Sequence, residues 1–89
     1  MINLARQLAA GSSSANTVLS ANTTKITIRA VTAAIRYSIG SNATQTANAS
    51  TSHFIAQNER LTLDIPRNSN IGIIRDASTD GVLELSELN

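Results

Sequence analysis

The stretch with the most legible chemistry is DASTDGVLELSE, residues 76 to 87. Counted from Asp76, it places Ser78 third, Asp80 fifth, Gly81 sixth and Glu87 twelfth. That is the spacing of an EF-hand loop, with oxygen ligands around a sharp glycine turn. Asp76, Ser78, Asp80 and Glu87 are therefore the candidate calcium ligands. An EF-hand also needs a helix on each side. The approach, IPRNSNIGIIR, contains Pro66, Gly72 and a β-branched run, which is poor helix and good strand. After Glu87 the sequence has only Leu88 and Asn89. The preferred reading is a β-hairpin without metal: strand 71 to 75, a turn through residues 77 to 81, strand 82 to 88. In that hairpin Gly81 supplies a positive φ, Asp76 and Asp80 bond turn amides, and Arg75, Asp76, Glu84 and Glu87 pair across the strands. Gly81→Val is then expected to cost folding and Glu87→Gln to change little.

Elsewhere the residue types point away from catalysis. His53 is the single histidine, and no nucleophile or carboxylate stands at a spacing that would activate it. Glu59, Asp64, Asp76, Asp80, Glu84 and Glu87 fall in turns or on the polar phase of strands and read as solvated. No GxGxxG, P-loop, HExxH or GxSxG motif is present. The expectation is a chain that is not an enzyme and takes no cofactor. With no Cys, disulfides and thiolate metal sites are excluded. The formal net charge is +1, and the seven Lys and Arg residues are scattered. Nucleic acid needs clustered cations with stacking aromatics, so it is not an expected partner. No run approaches the roughly 20 apolar residues of a membrane span, and MINLARQLAAG lacks the apolar core of a signal peptide.

The elements read as strands from Lys25 onward. KITIRAV alternates Ile26, Ile28 and Ala30 against Lys25, Thr27 and Arg29. AAIRYSIG repeats the pattern, and the short gap predicts antiparallel pairing or one bent strand. Residues 41 to 52, SNATQTANASTS, read as a loop or weak edge strand. RLTLD and VLELSEL alternate again, and Pro66 ends the first of these or marks an edge. Five or six short strands with polar turns predict an all-β fold: a small antiparallel β-sandwich or jelly-roll-like domain with an extended N-terminal arm. The boundaries are an arm or linker over residues 1 to 23 and the sandwich domain over 24 to 89. An 89-residue chain buries only about 60% of its unfolded surface. Without disulfides, oligomerisation or docking on a larger partner is expected to supply the rest.

IRYSIG, the Ala/Thr-rich stretch, FIAQNERLTLDIP and IGIIRDASTDGVLELSEL together resemble a group of small β-proteins common in tailed-phage genomes. Capsid decoration (cement) proteins and parts of head or tail fibres belong to that group. The resemblance runs from Ile35 to Leu88 and rests on hydrophobic pattern and turn phrases. It implies a structural virion protein, made in the host cytoplasm and seated on the capsid surface. Its partner would be the major capsid protein, whose shell it would bind and stabilise as a homotrimer. The arm would lie on the capsid or a neighbouring subunit, with Ile2, Leu4, Leu8, Val18 and Leu19 as its contacts. The alternative is a tail or head-fibre component with an adhesion or receptor/glycan-binding role. The scarcity of aromatics, one Tyr and one Phe, counts against it.

Overall fold

Alternating β-branched and small residues favour extended backbone with one buried face. The computed structural model describes residues 2 to 88, with side chains from Arg6 on, and every element in it is a strand. These are β1 (Ile2–Ala10), β2 (Ala15–Val18), β3 (Lys25–Val31), β4 (Ile35–Gly40), β5 (His53–Ile55), β6 (Arg60–Asp64), β7 (Asn70–Arg75) and β8 (Gly81–Leu88). They form two four-stranded sheets, ordered β1-β8-β3-β6 and β2-β7-β4-β5. All strand pairings are antiparallel.

The pairings have a simple logic. β1 pairs with β8, β2 with β7, β3 with β6 and β4 with β5. This is one long hairpin with its tip between β4 and β5. Rolling it up brings β3 against β8 and β4 against β7, which closes the two sheets. The result is jelly-roll order.

Between the sheets lies an aliphatic core. Ile26, Ile28 and Ala30 of β3 and Leu83 and Leu85 of β8 face Ile35, Tyr37, Ile55, Ile71 and Ile73 of the other sheet. Each buried Ile or Leu among them contributes about 1.5–3 kcal/mol. β3 and β8 keep strict alternation, so their other faces look outward.

Four local expectations change. β3 and β4 neither pair nor form one bent strand. The chain switches sheets between them, through Thr32 at φ 78°, an unusual conformation for a β-branched residue. The 71–75 and 82–88 segments are strands, but they lie in different sheets, so residues 76 to 80 are a sheet-to-sheet crossing and not a hairpin turn. Gly81 has no positive φ. Space there is tight: a Cβ would stand 3.2 Å from the Ala33 carbonyl oxygen and 3.3 Å from Ile35 Cγ1, so these neighbours would have to give by a few tenths of an ångström. Finally, the stretch expected as an arm supplies β1 and β2, each paired along its length with the C-terminal strands. Its weak strand propensity is overridden by those pairings.

Residues 41 to 52 form a loop folded over the outer face of the β2-β7-β4-β5 sheet. Asn70 Nδ2 donates to the Asn42 carbonyl at 2.7 Å, and Gln45 Nε2 to Ser38 Oγ at 2.7 Å. The Ala47 amide donates to Ser14 Oγ at 2.8 Å, and Ala47 itself is buried. Gly72 is what lets the loop settle, since a Cβ there would overlap the Gln45 carbonyl.

Candidate functional site

The four candidate calcium ligands do not converge. Asp76 Oδ1 accepts from Arg36 Nε at 2.7 Å, and Asp80 Oδ1 from Arg75 Nη1 at 2.6 Å. Glu87 points the other way. On β8 it shares the phase of Leu83 and Leu85, so its side chain enters the sandwich and is fully buried. Thr23 Oγ1 donates to its Oε1 at 2.6 Å and the Ser20 amide at 2.7 Å, while Arg6 Nη2 holds Oε2. The same Arg6 nitrogen donates to the Val18 carbonyl at 3.2 Å. Burial alone would push the Glu87 carboxyl up. The hydrogen bonds from Thr23 and Ser20, with the Arg6 charge, outweigh it and hold the group below the usual carboxylate range. Among the described residues no three His, Cys, Asp or Glu side chains are grouped to hold a metal ion. Glu87 is thus a buried structural anchor, contrary to its reading as a solvated residue of little consequence. The pairings expected across a hairpin are replaced by Arg75–Asp80, Arg36–Asp76, Arg29–Glu84 and Arg6–Glu87.

The expected partner contacts of the arm separate as well. Leu19 is 2% exposed and belongs to the core, and Leu8 packs against it. Val18, on the edge strand β2, is 64% exposed and stays free to meet a partner. The side chains of Ile2 and Leu4 lie outside the described residues.

His53 and Tyr37 lie together where β5 pairs with β4, ring centroids 5.4 Å apart. Burial, with a smaller contribution from the Glu59 charge, raises the Tyr37 hydroxyl above its ordinary value, so it is a neutral donor. Next to this pair, on the outer face, Arg36 lies over the half-exposed Phe54 ring at 4.9 Å and donates to the Ser52 carbonyl at 3.0 Å. These contacts lock β5 and the loop before it onto β4.

The outer face of the β1-β8-β3-β6 sheet carries a concavity lined by its outward side chains. Its register sorts side chains into bands. Lys25 stands between Leu88 and Asp64, Thr27 between Ser86 and Thr62, Arg29 between Glu84 and Arg60, and Val31 beside Val82. Thr27 and Thr62 share a hydroxyl hydrogen bond at 3.1 Å. Arg29 Nη1 reaches Glu84 Oε1 at 3.1 Å and its Nη2 reaches Asn58 Oδ1 at 3.3 Å. Between the hydroxyl and charged bands the twisted sheet leaves a shallow concavity of about 470 Å³. None of these residues stood out in the sequence as a site. The available signal was their phase: each occupies the polar turn of an alternating strand.

No protein-family model, curated protein or solved structure matches the chain.

Proposed function

We propose that the chain is a structural attachment module of a tailed-phage virion, a decoration protein bound to the major capsid protein on the outside of the head shell. The observation that carries this reading is the asymmetry of the two outer faces. One sheet is covered by the chain's own 41–52 loop, held by Asn70, Ser38 and Ser14. The other presents bands of apolar, hydroxyl and charged side chains, and no loop among the described residues folds over them. A rigid jelly roll with one dressed face and one bare face suits repeated, non-catalytic contact with a lattice. The resemblance from Ile35 to Leu88 supports the same reading, and those residues cover β4 to β8.

In this reading, self-association as a trimer compensates for the limited core of a small domain. The bare sheet face takes over the role first assigned to an arm.

Quantitative mass spectrometry of purified virions, with cosedimentation of the protein on emptied heads, tests the proposal. Hundreds of copies per particle and saturable binding to heads are expected. A few to a few dozen copies confined to tails would move the chain to a fibre. Absence from particles would overturn the proposal.

A further inference from the structure

Arg29 and Arg60 are direct cross-strand partners on β3 and β6. Like charges directly opposite on antiparallel strands repel unless something compensates them. Arg29 is compensated, by Glu84 on one nitrogen and Asn58 on another. Arg60 is exposed, and no hydrogen bond or ion pair among the described residues engages its guanidinium. The charged band therefore carries two guanidinium groups and one carboxylate. One row away, Ser86, Thr27 and Thr62 bring three hydroxyls to the same concavity, one of whose protons is used in the Thr27–Thr62 bond.

We infer that this concavity is a carboxylate site, and that its occupant is an acidic side chain on a protein surface. The planar fork of Arg60 matches the two oxygens of a carboxylate, and the neighbouring hydroxyls can donate to the same group. Charge complementarity fixes the sign: an anion relieves the Arg29–Arg60 repulsion, whereas a cation adds to it. The surroundings favour a polypeptide over a sugar. Half-buried Leu88 borders one side of the bands, and half-buried Val31 and Val82 border the other. Sugar recognition gains much from an aromatic platform, and both Tyr37 and Phe54 belong to the opposite sheet. One such site is small, so tight attachment would come from many copies engaging a repeating surface. The identity of the acidic surface as a capsid shell rests on the proposed function; the carboxylate site itself does not.

The test is an amide-resolved NMR titration of the full chain with an acetylated Glu-Ala-Glu tripeptide, its Gln-Ala-Gln counterpart and sialic acid. Shifts confined to Thr27, Arg29, Arg60, Thr62 and Ser86 are expected with the acidic peptide only, weakening as salt rises. Arg60→Gln should weaken binding at least tenfold. Arg60→Lys should recover part of it, through charge without the fork. Thermal unfolding of both variants checks that the domain is intact. No shifts, equal binding by Arg60→Gln, or a response to sialic acid alone would each overturn the inference. Cosedimentation of Arg60→Gln with phage heads separates the two claims. A peptide site without head binding by the parent protein sinks the capsid reading and leaves the site. Undiminished head binding by the variant removes this face as the docking surface.

Discussion

Arg6 of the first strand and Glu87 of the last meet inside the sandwich, where Glu87 also accepts from Thr23 Oγ1 and the Ser20 amide. One carboxylate thus ties β1, β8 and the β2–β3 connection at a single point. A buried carboxylate with three donors is a costly group to disturb, because removing its charge leaves the donors facing a weaker acceptor. Glu87→Gln keeps the shape, loses the charge and sets an amide NH2 among donors. It should destabilise the domain by about 2–3 kcal/mol, below the roughly 3–5 kcal/mol of a fully buried broken pair, because water still reaches Arg6. Urea denaturation measures it. A change below about 0.5 kcal/mol would show that the anchor contributes nothing. Replacing both partners, as Arg6→Met with Glu87→Met, leaves no orphaned charge but takes the acceptor from the Thr23 hydroxyl and the Ser20 amide, so it should not recover the parent stability.

The same carboxyl gives the domain an acid limit. Its folded-state value lies below the unfolded reference of 4.5. The unfolded chain therefore takes up the proton first as pH falls. The stabilisation is fully present above the unfolded value and is lost as pH drops through the folded one. Unfolding free energy, compared between the parent protein and Glu87→Gln at each pH, should differ most at neutral pH and converge in acid. A constant difference across that range would mean that Glu87 does not titrate as described.

The strands legible in the sequence are those with alternating residues, β3, β4, β6 and β8, and the Ile-rich β7. Alternation tells which residues share a face but not which sheet a strand joins. That is why residues 32 to 34 and 76 to 80 read locally as hairpin connections, although both cross between sheets. β1 (INLARQLAA) is Ala- and Leu-rich and β2 (ANTV) is only four residues long; both gain their strand character from β8 and β7, partners more than 50 residues away. The inward turn of Glu87 was readable, since it continues the phase of Leu83 and Leu85. The Arg29–Arg60 opposition needed the register of β3 on β6, which no local pattern encodes.

Calcium should leave the domain unaffected. Asp76, Asp80 and Glu87 are each engaged by a different arginine, Arg36, Arg75 and Arg6. At about 10 mM calcium, a site with a Kd near 1 mM would add about 1.4 kcal/mol. In a domain of this size that raises Tm by roughly 6–10 °C. The expected shift, against sodium chloride at matched ionic strength, is below about 1 °C. A rise of several degrees, abolished by Asp80→Asn, would restore the metal reading.

Gly72→Ala separates a seated loop from a loose one. In an ordinary strand, glycine to alanine stabilises by about 0.4–1 kcal/mol, because it restricts the unfolded chain. At Gly72 the new methyl would overlap the Gln45 carbonyl, so the 41–52 loop must lift or the strand must shift. Either response strains the Asn70–Asn42 and Ala47–Ser14 hydrogen bonds that hold the loop down. The expected result is a loss of about 1–3 kcal/mol, together with faster proteolysis within residues 41 to 52. A gain in stability with unchanged cleavage would mean that the loop does not rest on β7. The asymmetry between the covered and bare faces, on which the attachment reading depends, would then be gone.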